Sequence, residues 1–451
     1  MHPATSPAVA AQPARDHRTS RRHRTLRALA AAAVALPLVL GAAACGNDST
    51  SGPSPQSTEP VELTIMWWGG DARAKLTENA LQLYTQAHPN VTFKKVWQAN
   101  QGYFDKLATV ITGGDAPDIF QIDDNFLTEY AERGATLDLS SYKDSGKLDL
   151  SKFPESLWKY GVVDGKLAGV AFGENTQGLV YNKSLLQKNN LTEPTIGMSW
   201  EAFISWAENV SKVTKVPGTM DPSADYKAFW VWLRQQGKDL YKGKEPGFTE
   251  ADVAAWFSLW KGARERGATP TPDVIHEGNS SDITKQLVVT GKAATSWVWV
   301  NQMPELKKNT KDELGVISYP GNPNAQWGRA SMYLSVFKNS AKKDVAVDVI
   351  NFLANNVDAG KALGTDRGLP SNLDVRQAVA DTVTDPAMKL SIQVETELAA
   401  KFGQSPQVPP KGHSTMRSEL VKAAENVQFN RATPEKAAAD FLAVVKSALA
   451  K

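Results

Sequence analysis

The 451-residue chain contains a single cysteine, Cys45, and only six histidines. One cysteine cannot form an intramolecular disulfide, and it excludes a zinc site built from several thiolates. Three of the histidines fall within residues 1–44, and the other three, His88, His276 and His413, are far apart in sequence. This distribution disfavours a histidine-rich metal site and histidine-dependent catalysis. We therefore expect neither a metal nor a cofactor.

The chain also lacks an excess of basic residues once its N-terminal segment is set aside. Residues 1–44 hold six arginines and one acidic residue, Asp16. Subtracting them from the 50 basic and 48 acidic residues of the whole chain leaves 44 and 47, a net charge of −3. Nucleic-acid-binding domains usually carry a basic patch, so nucleic acid is excluded as a partner. With 42% hydrophobic and 22% charged residues, the composition is typical of a globular protein with a large core.

The N-terminal segment has the pattern of an export signal. A cationic stretch, Arg15–Arg27, precedes 17 residues without a charge, 28–44, that are rich in alanine, leucine and valine. A membrane span needs about 20 apolar residues, whereas this run is shorter and contains Pro37. A signal peptide over residues 1–44 is therefore predicted.

Cys45 follows the uncharged run directly and is preceded by the small residues 41–44. This arrangement resembles the lipobox of bacterial lipoproteins, in which the cysteine is acylated and becomes the new N-terminus, although Ala42 stands where the pattern prefers leucine. The alternative is a plain secretory signal followed by an idle cysteine. Residues 46–60 contain no large apolar side chain and are predicted to form a flexible tether reaching at most ~50 Å. We expect residues 45–60 to anchor an exported body to the outer face of the cell membrane, extracellular or periplasmic.

From Val61 onward, the apolar pattern alternates between strand and helix. Val61–Trp67 is rich in β-branched and apolar residues, 72–88 has the spacing of an amphipathic helix, and 91–96 resembles the next strand. Such alternation is typical of an α/β fold with a largely parallel sheet. Removing residues 1–44 leaves 407 residues, too many for one core, so at least two domains are expected.

Polar and aromatic residues recur where predicted strands end, which in open α/β sheets is where ligands bind. The candidate ligand-binding residues are Trp68, Asp71, Asp124, Glu174, Asn175, Gln177, Trp230, Trp297, Trp299 and Trp327. Carboxylate and amide oxygens accept hydrogen bonds from sugar hydroxyls, and an aromatic face covers the C–H side of a sugar ring. The mixture therefore favours a polyhydroxylated ligand.

Other interpretations of these residues stay open. Trp200, Trp206, Trp256 and Trp260 lie on apolar helix faces and are assigned to the core, and Trp68, Trp297 and Trp299 fit either role. Asp123 and Asp124 could instead cap the helix that begins near Phe126.

The same carboxylates leave two other functions open. A glycoside hydrolase needs two carboxyl groups about 5–10 Å apart, which Asp71, Asp124 and Glu174 could supply. However, the sequence contains no nucleophile elbow, phosphate-binding loop or metal-ligand cluster, so an enzyme is not favoured. The carboxylates would also suit a cationic ligand such as a polyamine.

Four segments, in this order, resemble the family 1 extracellular solute-binding proteins: ELTIMWWGG (62–70), TGGDAPDIFQIDD (112–124), VDGKLAGVAFGENTQGLVYNKSLL (163–186) and GKAATSWVWVNQ (291–302). These proteins are the sugar-capturing subunits of ATP-binding-cassette (ABC) importers. The resemblance implies a two-lobe, type II periplasmic-binding-protein fold with a multi-segment hinge and a ligand cleft between the lobes. It also implies a monomer that is not an enzyme, with a carbohydrate ligand, a permease partner and a lipid membrane contact.

The resemblance further implies how the chain divides. Lobe 1 is expected over 61–173 together with about 331–380, and lobe 2 over 174–330 together with about 381–451. By the same resemblance, Glu174 is a hinge carboxylate that contacts sugar.

Two more site roles are implied in the same way. Asp71 and Asp124 would make polar contacts from the first lobe, and Trp299, with or without Trp297, would stack on the sugar from the second. Two aromatic positions of the family are missing, near Ile122 and within 412–415, which leaves the sugar and its length undefined.

Overall fold

The computed structural model describes residues 59–279 and 282–450. The predicted signal peptide, Cys45 and nearly all of the tether lie outside the described residues. Within these ranges the strands are β1 Val61–Trp68, β2 Val91–Gln98, β3 Ile119–Ile122, β4 Val162–Val163, β5 Lys166–Leu167, β6 Val170–Asn175, β7 Gln177–Asn182, β8 Tyr241–Lys242, β9 Glu245–Pro246, β10 Thr295–Trp299, β11 Leu314–Ile317 and β12 Arg329–Val336.

The helices of the same ranges are α1 Asp71–Ala87, α2 Tyr103–Thr112, α3 Leu127–Glu132, α4 Ser140–Asp144, α5 Glu155–Lys159, α6 Lys183–Lys188, α7 Trp200–Thr214, α8 Tyr226–Arg234, α9 Glu250–Glu265, α10 Pro272–Gly278, α11 Leu287–Thr290, α12 Met303–Lys308, α13 Lys343–Asn355, α14 Val357–Leu363, α15 Leu373–Ala380, α16 Pro386–Ala399, α17 His413–Gln428 and α18 Pro434–Leu449. Short 3₁₀ turns cover Ile283–Lys285, Val300–Gln302 and Pro323–Ala325. In this part of the chain, no helix combines the length and the apolar character that crossing a membrane would require.

The first lobe is built on a five-stranded sheet in the order β2-β1-β3-β12-β6. Strands β1, β2 and β3 are parallel, as predicted, whereas β12 runs antiparallel to both β3 and β6. All four residues of β3 are buried, because helices cover both faces of the sheet. The carboxyl ends of β1 and β3 therefore open at the same edge of the sheet, and residues 123–125 follow β3 at that edge.

Apolar side chains of the sheet form a core on each of its faces. On one face Leu63, Ile65 and Trp67 pack with residues of α1 and α13. On the other face Met66 and Phe120 pack with residues of α2.

The second lobe contains a three-stranded antiparallel sheet in the order β10-β7-β11 and a core rich in tryptophan. Trp200, Trp206, Trp256 and Trp260 are all buried there, so their assignment to the core is confirmed. The hydroxyl of Ser199 accepts a hydrogen bond from the Ala202 backbone N–H, which caps α7 as its sequence predicts.

The chain passes repeatedly between the two sheets. Strand β6 ends in the first sheet at Asn175 and β7 begins in the second sheet at Gln177, so one passage lies at Thr176. A second passage precedes β12, because Trp327 packs in the second core and Arg329 already pairs with β6. Helix α15 packs on α14 of the first lobe, and α16 packs on α12 of the second.

Candidate functional site

A cavity of about 220 Å³ lies between the lobes. Its walls come from the segment after β3, from the first residues of β12, from the end of β6, and from α8, β10 and α17 of the second lobe. The lining residues are Asp123, Asp124, Asn125, Asn175, Tyr226, Lys227, Trp299, Arg329, Ala330, Ser331 and Arg417.

A second cavity, of about 520 Å³, adjoins the first and belongs to the second lobe. Tyr226, Lys227, Trp299 and Arg417 line both cavities. The larger cavity is also lined by Asp225, Trp297 and Gln302, among other residues. Because the two share a wall of four residues, we describe them together as the interlobe groove.

The segment after β3 brings two aspartates to the groove. The carboxylate of Asp123 accepts hydrogen bonds from the backbone N–H and the side-chain amide of Asn125, both at 3.0 Å. Neither aspartate caps the following helix, since the N-cap of α3 is Phe126 and it has no side-chain cap. The capping alternative for Asp123 and Asp124 was therefore wrong.

Asp124 forms a buried ion pair with Arg329 at the start of β12. The two residues are 2% and 8% exposed, and both carboxylate oxygens accept hydrogen bonds from the guanidinium. Tyr160 also donates to Asp124 at 3.3 Å, and Arg329 donates to the Tyr226 hydroxyl at 2.7 Å. The Asp124 carboxylate raises the pKa of Arg329 above its ordinary value against the effect of burial. Asp124 thus lines the cavity while its oxygens already have donors.

Asp123 has a different electrostatic environment. Burial and, after it, the neighbouring Asp124 raise the pKa of Asp123 to about 6, although the Asn125 hydrogen bonds and the charges of Arg329 and Arg417 oppose the rise. Asp123 is therefore a carboxylate at neutral pH and takes up a proton as the pH falls through about 6.

Cations and aromatic rings face one another in the groove. The centroid of the half-buried Trp299 ring lies 5.1 Å from the Arg329 guanidinium and 5.6 Å from the Lys227 ammonium. Arg417 lies 4.7 Å over the Tyr226 ring, and it donates to the Asn125 side-chain oxygen at 2.8 Å, so the second lobe contacts the first directly. Such positions are typical of cation–π contacts.

The groove is lined by four acidic residues, Asp123, Asp124, Asp221 and Asp225, and by three basic ones, Lys227, Arg329 and Arg417. Lys227 pairs with Asp225 at 2.9 Å, Arg329 pairs with Asp124, and Asn125 bridges Arg417 and Asp123. Asp221, on the wall of the larger cavity, pairs with Arg264. The groove therefore has no large excess of either charge, and within the described residues no cluster of potential metal ligands is present.

The structure places Glu174 away from the interlobe groove. Successive residues of a strand face opposite sides, so Asn175 lines the groove while Glu174 lines another cavity, of about 410 Å³, with Arg376. Glu174 is 4% exposed, and its carboxylate accepts a hydrogen bond from Arg376. The structure therefore does not place Glu174 in the groove, and its contact with the ligand stays a prediction.

Gln177 also does not line the groove. It is 3% exposed, and its backbone carbonyl accepts a hydrogen bond from the Gln326 side chain at 3.1 Å. Its position just after the passage at Thr176 places it in the second sheet, where β10 and β11 flank its strand.

Trp230 and Trp327 are core residues, in contrast to their predicted role. They are 1% and 2% exposed, their ring centroids lie 4.7 Å apart, and the Trp230 indole donates to Asp239. Helix α8 turns Trp230 inward, and the loop carrying Trp327 folds back onto it.

The remaining predicted tryptophans differ in position. Trp297 stacks on Trp200 at 5.8 Å and donates to the Met220 carbonyl at 2.8 Å, so it belongs to the core although it also lines the larger cavity. Trp68 packs its ring against Tyr103 at 5.3 Å and lines neither cavity of the groove. Trp299 is the predicted indole that lines both cavities.

Asp71 lies at the exposed start of α1 and lines neither cavity. Its carboxylate is 3.4 Å from the indole nitrogen of Trp97, which donates to it. The end of β1 was predicted correctly. However, β3 lies between β1 and β12 in the sheet, so the residues after β3 are closer to the passage between the lobes than Asp71 is.

The groove residues that the sequence did not predict include Tyr226, Lys227, Arg329 and Arg417. Arg329 had a recognisable signal, because it is a lone cation at the start of an otherwise uncharged strand. Arg417 and Lys227 lie among other polar residues on helices, and nothing in their local sequence distinguishes them.

The chain matches the sequence profile of the bacterial extracellular solute-binding proteins over residues 79–389, and it belongs to that family. The family is one of binding proteins, and its members act outside the cytoplasm. The resemblance predicted from the sequence motifs is thereby confirmed.

Individual relatives agree with this assignment. The chain is 24% identical over 331 residues to a lactose-binding protein of Rhizobium radiobacter, which covers 69% of this chain and 75% of that protein. It is 30% identical over 223 residues to the diacetylchitobiose binding protein DasA of Streptomyces coelicolor, covering 48% of this chain and 50% of that one.

The solved structures include a family 1 extracellular solute-binding protein from Alicyclobacillus acidocaldarius. It is 27% identical, superposes with a TM-score of 0.73, and covers 88% of this chain and 100% of its own. The predicted fold class, a two-lobe type II solute-binding protein, is confirmed.

Proposed function

We propose that the protein is a membrane-anchored receptor that binds a carbohydrate, an oligosaccharide, in the interlobe groove and delivers it to the permease of an ABC importer. The observation that carries the proposal is the groove itself, where Trp299 and Tyr226 adjoin carboxylate, amide and guanidinium groups from both lobes. The names of two relatives, a lactose-binding and a diacetylchitobiose binding protein, support the same ligand class.

The chemistry of the groove suits sugar hydroxyls. Asp123 and Asn175 offer oxygen acceptors, whereas Lys227 and Arg417 offer N–H donors, and a hydroxyl group can satisfy both kinds. The partly exposed Trp299 ring supplies an apolar surface for the C–H face of a sugar ring. The missing aromatics near Ile122 and 412–415 indicate that stacking in this chain depends on Trp299 and Tyr226.

Binding closes the lobes because the ligand contacts both. A ligand that interacts equally with the open and closed arrangements would shift no population, whereas one held by Asn125 and Trp299 together favours closure. The closed, loaded receptor then presents its cargo to the permease.

The anchor is Cys45. Its support is the sequence alone: an uncharged run, small residues before the cysteine, and a polar tether after it. Acylation with two or more chains gives stable attachment, since a single chain binds a membrane only marginally.

The ion pairs of the groove argue against the alternative that the ligand is a polyamine. A polycation would require several carboxylates without cationic partners, yet Asp124, Asp225 and Asp221 already pair with cations, which leaves Asp123. The hydrolase alternative is also disfavoured, because Asp71 and Glu174 do not line the groove and Asp124 is bound to Arg329.

A thermal-shift screen tests the proposal. Lactose, N,N′-diacetylchitobiose, longer oligosaccharides and spermidine are added to the wild type, to Trp299→Ala and to Trp97→Ala, which removes an exposed indole outside the groove. A ligand at 100 times its Kd adds about 2.7 kcal/mol to the free energy of unfolding. We expect a saccharide to raise the Tm of the wild type and of Trp97→Ala at concentrations that leave Trp299→Ala unchanged. A Tm that rises only with spermidine would contradict the proposal.

A further inference from the structure

Three buried ionisable side chains interact electrostatically near the passage between lobes at Thr176. Glu174 lies near the end of β6, Arg376 lies on α15, and Glu395 lies on α16. They are 4%, 8% and 1% exposed. We refer to these three residues as the hinge cluster.

The hinge cluster contains two carboxyl groups and one guanidinium. Arg376 donates to the Glu174 carboxylate and, through Nε, to the Pro370 carbonyl at 2.8 Å. Within the described part of the chain, Glu395 has no ion pair. One of its oxygens is 3.5 Å from the Ser391 hydroxyl, and the other has no hydrogen-bond partner. If both acids were ionised, a net negative charge would be buried, which is strongly unfavourable.

Burial and, next, the charge of Glu174 raise the pKa of Glu395 well above its ordinary value, whereas Arg376, Ser391 and the Thr176 backbone oppose the rise. Among the elements packed most closely against α16, α12 carries charged groups. There Lys307 pairs with Glu313 and Lys308 with Glu305, in exposed positions. On α15, Asp374 pairs with Lys152 at the surface. The pKa of Glu395 is therefore set mainly by its burial and by its neighbours in the hinge cluster, Glu174 and Arg376.

The cluster is divided between the lobes. Helix α16 packs on α12, and Ser391 donates to the Val300 carbonyl at 2.9 Å, which ties Glu395 to the second lobe. Strand β6 belongs to the first sheet and α15 packs on α14, which ties Glu174 and Arg376 to the first. A movement of one lobe relative to the other changes the distance from Glu395 to its two charged neighbours, as expected at a hinge.

We propose that Glu395 is a neutral, proton-bearing acid of the hinge, and that this arrangement of the lobes binds one proton more than an arrangement in which α16 moves away from Glu174. The two arrangements are then linked to pH. Glu395 holds the proton in the present arrangement and releases it when α16 moves away from Glu174. A rising pH therefore favours the arrangement in which they are separated. The inference concerns the equilibrium between lobe arrangements and holds for any ligand.

The test measures the distance between the lobes as a function of pH without ligand. Donor and acceptor dyes are attached at Lys75→Cys on α1 and Lys212→Cys on α7, both exposed, in a background of Cys45→Ser and Asp123→Asn, because Asp123 of the groove also titrates in this range. Energy transfer is recorded from pH 5 to 8.5 in this parent protein. We expect the transfer efficiency to change sigmoidally over this range.

Three variants of that labelled protein separate the hinge cluster from other causes. Glu395→Gln is similar in shape and neutral at every pH, so its transfer should be constant. Glu397→Gln, on the exposed side of the same helix, should retain the full transition. Glu174→Gln removes the repelling charge and should move the midpoint to lower pH.

The Glu174→Gln shift keeps the proposal testable even if Glu395→Gln does not fold. A parent protein whose energy transfer does not change with pH would overturn the proposal, and so would a transition that persists in Glu395→Gln.

Discussion

The two aspartates after β3, Asp123 and Asp124, are adjacent in sequence and differ in their hydrogen-bond partners and in their availability to a ligand. Asp124 is bonded to Arg329, whereas the nearest donors to Asp123 belong to Asn125, and the pKa of Asp123 is raised to about 6. Asp123 thus changes charge in the range in which many bacteria grow, and it does so inside the groove. A ligand that uses its carboxylate as an acceptor would lose that contact in acid.

We predict that saccharide affinity falls as the pH drops from 7 to 5, because Asp123 is ionised above about pH 6 and neutral below it. A hydrogen bond to a charged group contributes about 1.5–3 kcal/mol, and roughly one-tenth of Asp123 stays ionised at pH 5, so the affinity should fall roughly five- to tenfold. Isothermal titration at several pH values measures it. Asp123→Asn should remove the decline between these values. A decline of equal size in Asp123→Asn would assign the effect to another group.

Two tryptophans that the sequence could not separate are predicted to respond in opposite ways to replacement. Trp299→Ala removes a ring of the groove and should weaken saccharide binding at least tenfold, about 1.4 kcal/mol, with little loss of stability. Trp230→Ala leaves a cavity in the second core and should lower the free energy of unfolding by about 3–5 kcal/mol. Urea denaturation and titration of both variants measure the two quantities. A stable Trp230→Ala that fails to bind would reverse the assignment.

At the scale of elements, the order of strands and helices could be predicted because apolar periodicity is a local property. Strand β1, helix α1 and the Ser199 cap of α7 follow from residues a few positions apart. Which side chains at the hinge point into the groove could not be predicted. Whether Glu174 or Asn175 enters the groove depends on how β6 pairs with β12, where Arg329 lies opposite Asn175. Those partners are separated by more than 150 residues, and β12 also carries a bulge there.

Arg417 illustrates the same limit for the site. Helix α17 begins at His413, far from the segment after β3, and only the folded chain brings Arg417 to Asn125. The candidate site was therefore predicted where it depended on strand ends, as at Asp124 and Trp299, and missed where helices of the second lobe complete it.

The ion pair between Arg329 and Asp124 links β12 to the segment after β3. We predict that removing one partner of this buried pair lowers the stability of the protein far more than removing one partner of an exposed pair. Arg329→Ala leaves Asp124 buried and unpaired, which should lower the free energy of unfolding by about 3–5 kcal/mol. Arg133→Ala, which breaks the exposed pair with Glu129, should lower it by no more than about 1 kcal/mol. Urea denaturation at pH 7 compares them, and equal losses would show that burial of the pair is energetically unimportant.

At the scale of the whole molecule, the chain forms two sheets with separate cores and passes repeatedly between them. At the end of β6, Asn175 lines the groove and Glu174 of the hinge cluster lines a different cavity. The positions at which the lobes divide stay a prediction. Val408 shows why, since it follows α16 of the second lobe and yet packs with the core of the first.

The central claim is that a carbohydrate is held between the lobes and draws them together. Small-angle X-ray scattering of the protein, with and without the saccharide that gives the largest thermal shift, tests it most directly. We predict that saturation lowers the radius of gyration of the wild type, and that Trp299→Ala requires at least tenfold more saccharide for the same change. A radius of gyration that is identical in the free and the saturated protein would contradict the account.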